Sequence, residues 1–368
     1  MNTTASPKRL IALDALRGFT IIGMIIVNDP GSWEHVYDPL LHATWNGVTP
    51  TDYVFPFFLF IVGVSIVMAF QPRLDANVPR QELLKKAFVR SLKIYAVGIF
   101  LWLWPGFDFG EIRWVGVLHR IAFVFFPCAW LFLYTDWRTW LRVGIGILLG
   151  YWLIMAYLPV PGIGVPDLSM PEKNWAHYLD SQLLPGVLWQ KTWDPEGILS
   201  TFPSIATGIS GMLAGRIILD VKDDFRRLSW LFFWGFLLFS LGGVWDWFFP
   251  INKNIWTSSY VLHTSGLAFM ALASCLLIVD KLGHTGWTRP GLIFGANAIA
   301  AYVLASMLTA VFYSGYGGSP GLNEMWLNGL TAAGLSAKLA SFLYALLYVG
   351  IIFIPIYFLY KKKIFIKL

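Results

Sequence analysis

Residues 51–71 read TDYVFPFFLFIVGVSIVMAFQ, and from Tyr53 to Gln71 there is no charged side chain. A helix crossing the roughly 30 Å hydrocarbon core of a bilayer needs about 20 predominantly apolar residues. Apolar side chains fall on every face of this run, which suits lipid or a fully buried core but not a half-exposed surface helix.

Working outward, comparable runs recur near 10–28, 88–105, 114–134, 139–158, 197–219, 229–249, 257–279, 290–311 and 336–360. The predicted fold is all-α: one polytopic transmembrane helical bundle of about ten spans, residues 1–368 forming a single domain. Composition agrees, since 57% of the 368 residues are apolar and only 13% charged, against about 25% charged in soluble domains. The 19 Trp, 15 Tyr and 29 Phe cluster at the ends of apolar runs, as interfacial belts do. The polar stretch Met1–Arg9 is too short for a cleaved signal, so Leu10 onward is expected to be a retained first helix.

An even number of spans puts both termini on one side of the membrane, and basic residues choose the side. Loops and span ends on the terminal side hold Lys8, Arg9, Arg73, Arg80, Lys85, Lys86, Arg90, Lys93, Arg138, Arg142, Arg216, Lys222, Arg226, Arg227, Lys281, Arg289, Lys361, Lys362, Lys363 and Lys367, which is 20 of 27 basic residues. Both termini are therefore expected in the cytoplasm. The net charge of +6 is accounted for by this asymmetry, and nucleic-acid binding need not be invoked. The longest outer connection, 159–196, carries six prolines and is long enough to fold over the membrane surface. Cys128 and Cys275 sit singly in apolar runs, which indicates neither a disulfide framework nor a metal site. Phosphate loops and the HExxH motif are absent.

Ionisable groups in a span need a partner, a wet cavity or a function. Asp14 and Arg17 share a helical face in LDALRG and read either as an ion pair or as an anion contact through Arg17. The first span ends in Val27-Asn28-Asp29-Pro30, and the outer segment HATWNGVTPTD (42–52) leads into the second span. Thr49, Pro50 and Asp52 form a helix-start pattern. That leaves His42 at the outer surface, as a structural hydrogen-bonding residue or as a nucleophile or base whose tautomer a neighbouring carboxylate could set. His119 and His263 are its rivals; His35, His177 and His284 lie in connections. Ser200 and Thr201 open one span and Thr257 and Ser258 another, as caps or as the rim of a common outer cavity. Asn297 stands among small residues, as interhelical glue or a ligand contact.

Taken together, LDALRG (13–18), Val27-Asn28, HATWNGVTPTDYVFPFF (42–58), GVLHRIA (116–122), DPEGILST (194–201), NKNIWTSS (252–259) and FGANA (294–298) resemble the transmembrane acetyltransferases of the heparan-α-glucosaminide N-acetyltransferase type, bacterial relatives included. The resemblance implies an acetyl-CoA-dependent N-acetyltransferase of the bacterial cytoplasmic membrane that acetylates the amine of a glucosamine-type sugar. It implies that His42 reacts with the acetyl donor, and the chemistry of the neighbouring residues makes Asn28 and Asp52 its expected catalytic partners. Arg17, Arg120 and Asn297 are then expected to bind acetyl-CoA, and Trp45, Asn46, Ser200, Thr201, Lys253 and Ser258 the acceptor. A homodimer is expected by analogy, and no metal. The competing reading is a sugar or anion permease with Arg17, Arg120, Lys338 and Asn297 along its path; a third is an acyltransferase for longer donors.

Overall fold

The computed structural model describes residues 10–315 and 319–366; Lys8, Arg9 and Lys367 lie outside the described residues. The elements are α1 (Ile11–Asn28), α2 (Val54–Asp75), α3 (Arg80–Leu103), α4 (Val117–Tyr134), α5 (Trp137–Tyr157), α6 (Trp175–Leu183), α7 (Ile198–Asp220), α8 (Asp224–Trp245), α9 (Ser258–Cys275), α10 (Arg289–Ala296), α11 (Ala298–Phe312), α12 (Leu322–Ala332) and α13 (Ala337–Lys361). Among the described residues the only extended pairings are isolated bridges, such as Gly47 with Asn252. The all-helical fold expected from the apolar runs is thus the one observed.

Among the described residues eight helices are long and apolar enough to cross a membrane, and a ninth span is counted if α10 and α11, bent by 75°, are taken as one. About ten were expected. The expected span 88–105 falls mostly in α3, whose first 14 residues carry Arg80, Glu82, Lys85, Lys86, Arg90 and Lys93. Those charges drop it below the others in hydropathy, although 24 residues reach about 36 Å. The expected span 290–311 is broken at Asn297, whose backbone leaves the helical region at φ −131° and ψ 44°. There the side-chain amide donates to the Ile364 carbonyl at 3.1 Å and accepts from the Ile366 N–H at 2.8 Å. Asn297 thus holds the segment after α13 against the break.

Helices alternate in direction, so the bundle has two ends. The terminal end holds the start of α1 and the finish of α13; the far end holds the α1–α2 segment, the 159–196 connection and the start of α9. Close approach comes from small residues. Gly18 of α1 faces Gly291 and Gly295 of α10, and Gly63 and Gly211 let α2 and α7 meet backbone to backbone. A Cβ on Gly18 would overlap the Gly291 carbonyl and come 2.7 Å from the Gly295 nitrogen. Gly18→Ala is therefore expected to cost about 1–3 kcal/mol. Gly146→Ala, where a Cβ meets nothing within 4 Å, should leave melting unchanged or slightly raised. Thermal melting of the two variants in one detergent checks this, and equal behaviour would contradict the packing.

Candidate active site

The α1–α2 segment is shaped by Asp52, one carboxylate with two tasks. In the turn Pro50–Tyr53 it occupies the third position of a capping box: Thr49 donates its N–H to Asp52 Oδ2 at 2.9 Å and its hydroxyl at 3.2 Å, and Ala43 adds its own N–H at 3.0 Å. The other oxygen, Oδ1, lies 2.6 Å from His42 Nδ1. Asp52 is 1% exposed, whereas the His42 side chain is 41% exposed. The capping and catalytic readings of Asp52 hold together, since the cap fixes the carboxylate that orients the imidazole. With Nδ1–H donated to Asp52, His42 keeps the Nε2 lone pair for chemistry, as in metal-ligand and triad histidines. Tyr260 supports the turn from below by donating its hydroxyl to the Asp52 carbonyl at 2.5 Å.

Neighbouring segments clamp this loop. Trp45 Nε1 and Asn46 Nδ2 donate to the Leu168 carbonyl at 2.8 and 3.2 Å, which ties the 159–196 connection to the histidine loop. Asn46 Oδ1 accepts from Asn252 Nδ2 at 2.9 Å, and the Gly47 N–H donates to the Ile251 carbonyl at 2.7 Å. Gly47 has φ +97°, a conformation that favours glycine. Trp45 packs edge-on against Trp193 with centroids 5.3 Å apart. Trp45 and Asn46, expected to touch the acceptor, thus build the wall of the site.

Beside this wall lies a buried charge network that joins the α3–α4 connection to the start of α7. Arg113 holds Asp194 through Nε and Nη2 at 2.7 and 2.6 Å, and its Nη2 also reaches Glu196 Oε2 at 2.7 Å. Asp180 of α6 accepts the N–H groups of Ile198 at 2.9 Å and Asp194 at 3.3 Å, capping α7. Arg120 is 1% exposed and lies over the Trp256 ring, 4.9 Å from its centroid. Its Nη2 donates to Ser200 Oγ and to the Gly197 carbonyl, while Nε and Nη1 have no partner among the described residues.

Electrostatics follow from burial. Burial raises the Glu196 carboxyl, but Arg113, Lys253 and Arg120 overcome it and hold the group ionised below its usual range. Burial lowers the Lys253 ammonium, with Glu196 and Asp52 opposing. Burial pushes Asp180 up to about 7 from 3.8, against its two backbone hydrogen bonds. The folded chain therefore binds more protons than the unfolded chain between those values. This stabilisation is complete below about pH 4 and lost as pH rises through about 7. Melting temperature should accordingly decline between pH 5.5 and 8, and Asp180→Asn should flatten part of that decline. An unchanged slope in the variant would contradict the assignment.

The remaining sequence candidates separate clearly. Thr201 donates to the Gly197 carbonyl at 2.8 Å and Ser258 to the Leu148 carbonyl at 2.7 Å, so both hydroxyls serve the backbone. Lys253 is half-buried and feels the charges of Glu196 and Asp52, with Arg120 and Arg113 opposing. Asn28 is exposed at the far end of α1, and no hydrogen bond links it to His42 among the described residues. Arg17 lies 11 residues before that end, about 16 Å lower along the axis. Its guanidinium reaches Asp14 at 3.1 Å, Ser65 Oγ at 2.9 Å and the Gly295 carbonyl at 3.5 Å. Arg17 and Arg120, expected to share the phosphates of one ligand, are therefore set at different depths. Of the rival histidines, His119 is buried against Tyr95, and His263 bonds the Tyr53 hydroxyl at 2.9 Å while stacking on Phe239. Among the described residues no group of three His, Cys, Asp or Glu could hold a metal ion.

Sequence reading missed Arg113 and Asp180 as members of one network. Their partners lie 81 and 14 residues away, which no local motif reveals. One signal was available: Arg113 stands on the outer side, against the basic bias of the chain, and so needed a partner.

The fold and site define a polytopic helical membrane protein with a carboxylate-oriented histidine at one end of the bundle. Residues 9–242 match the model of the family described as heparan-alpha-glucosaminide N-acetyltransferase, catalytic, and the chain belongs to that family. It is 32% identical over 359 residues to the human heparan-alpha-glucosaminide N-acetyltransferase, covering 82% of this chain and 53% of that protein. The mouse protein of the same name is 30% identical over 367 residues, covering 84% and 55%. The chain thus spans about half the length of the curated relatives it matches.

Proposed function

We propose that this chain is an acetyl-CoA-dependent N-acetyltransferase of the cytoplasmic membrane that acetylates the amine of a glucosamine-type sugar at the far end of the bundle. The observation that carries the reading is the His42–Asp52 pair, with Nδ1 at 2.6 Å from the carboxylate and the opposite ring edge exposed. The family membership supplies the reaction class.

The basic loops gather at the terminal end, which on this reading faces the cytoplasm, where acetyl-CoA is made. Between the depth of Arg17 and the far end, Ile21, Met24, Phe58, Leu118, Ile121 and Tyr302 line a small apolar crevice. On this reading the pantetheine arm reaches through the bundle from phosphates left near the terminal-end arginines. Arg120, at far-end depth, is then free to meet the acyl or acceptor oxygens through Nε and Nη1.

His42 acts through Nε2, either attacking the thioester carbonyl or taking a proton from the sugar amine. Asp52 holds the tautomer and stabilises the imidazolium that forms. Asn28 donates an amide hydrogen to the tetrahedral oxyanion, a contribution of about 3–4 kcal/mol in comparable sites. Incubation of the purified protein with labelled acetyl-CoA, with and without glucosamine, tests the reading. Labelled N-acetylglucosamine is expected. Sugar uptake by vesicles with no consumption of acetyl-CoA would instead favour a permease.

A further inference from the structure

One amine on a segment tied to the His42 loop belongs to the protein itself. Lys253 lies in a segment fastened to the His42 loop at two points: the Gly47 N–H to the Ile251 carbonyl at 2.7 Å, and Asn252 Nδ2 to Asn46 Oδ1 at 2.9 Å. Asn252 also braces this segment internally, its Oδ1 accepting the Asn254 and Ile255 N–H groups at 2.7 and 3.2 Å. The Lys253 ammonium lies near enough to Glu196 of the charge network and Asp52 of the pair to feel both charges, with Arg120 and Arg113 opposing. It makes no hydrogen bond or ion pair within 4 Å with the described residues, unlike the surface lysines Lys86, Lys281 and Lys338, each of which holds a carboxylate. Asp52 is committed to His42, Ala43 and Thr49, and Glu196 Oε2 to Arg113. The Lys253 amine is thus left as a half-buried nucleophile on a braced backbone beside an acyl-transfer centre.

We propose that Lys253 is a self-acetylation site, modified by the protein's own acetyl-transfer centre when no sugar amine occupies it. This rests on the acetyltransferase reading above. Nitrogen Nζ, in its neutral form, attacks the carbonyl carbon of the acetyl group held at His42. A C–N bond forms, and the bond from that carbon to its leaving atom breaks, whether that atom is the thioester sulfur or an imidazole nitrogen. The proton lost from Nζ passes to the departing thiolate or imidazole. The product is a neutral amide, so the positive charge felt by Asp52 and Glu196 disappears. Burial of the ammonium assists by raising its neutral fraction. Placement within one molecule supplies the high effective concentration that exposed lysines lack.

The full chain in detergent, incubated with isotopically labelled acetyl-CoA and no acceptor, then digested and mapped by mass spectrometry, tests this. Hydroxylamine-stable label is expected on Lys253, at least about tenfold above that on the far-end lysines Lys173 and Lys191. Added glucosamine should suppress it, and His42→Ala should abolish it. N-acetylglucosamine formation is followed in parallel. If the sugar product forms and Lys253 stays unlabelled, self-acetylation is wrong and the acetyltransferase reading stands. Equal labelling in His42→Ala would show simple chemical acetylation and overturn the proposal. Failure of both products would overturn both readings.

Discussion

Replacing His42 with alanine is expected to lower acetyl transfer to glucosamine by about 10³-fold or more, with little change in melting temperature. The ring is 41% exposed and makes one hydrogen bond, to Asp52 Oδ1, so its removal leaves the helix core untouched. Asp52→Asn separates the two tasks of that carboxylate. An amide can still accept from Thr49 and Ala43 through its oxygen, but it turns an N–H towards His42 Nδ1 and favours the wrong tautomer. A loss of about 10²–10⁴ in kcat is expected, with the fold retained. Full activity in His42→Ala would remove the basis of the proposed chemistry. Activity lost only together with melting in Asp52→Asn would reduce that residue to a cap.

The largest effect on stability is expected at Arg113. Its guanidinium holds two carboxylates, Asp194 at 2.6 and 2.7 Å and Glu196 at 2.7 Å, with the Asp194 side chain wholly buried. Burial pulls the Arg113 pKa down, but the bonds to Asp194 and the charge of Glu196 more than reverse that, raising it above the ordinary value. Arg113→Met keeps the aliphatic volume against Trp189 and removes the one cation that hydrogen-bonds both buried carboxylates. Breaking such a group by removing one partner costs about 3–5 kcal/mol, read as a large drop in melting temperature. Replacing Arg113, Asp194 and Glu196 together with apolar residues of similar size should recover much of that loss, since the penalty comes from stranded charge. If the single variant melts like the wild type, the network does not hold the 159–196 connection in place.

The bundle itself was legible because lipid imposes a simple rule: runs such as 53–71 have no stable place in water. Two departures share one physical origin. In α3 the first 14 residues carry six charges, and at the Asn297 break the side chain bonds the backbone of residues 364 and 366. Apolar run length reports the solvent of a segment, but not the contacts a side chain makes 67 and 69 residues away. His42 and Asp52 could be paired because they lie 10 residues apart in one segment, and Thr49 marks the cap. The roles of Trp45, Asn46 and Ser258 were not legible, because a polar side chain at a helix start looks the same whether it meets a ligand or a carbonyl. Only the fold shows that the Leu168 and Leu148 carbonyls take them.

The most direct test of the account is a two-sided assay in sealed vesicles of uniform orientation. Labelled acetyl-CoA is supplied at the face bearing Arg80, Lys85 and Lys86, and glucosamine only at the face bearing His42. Labelled N-acetylglucosamine forming in the glucosamine compartment, and not in vesicles of His42→Ala, is the predicted result. Product that appears only when both substrates share one face would contradict transfer of acetyl groups across the bundle to His42.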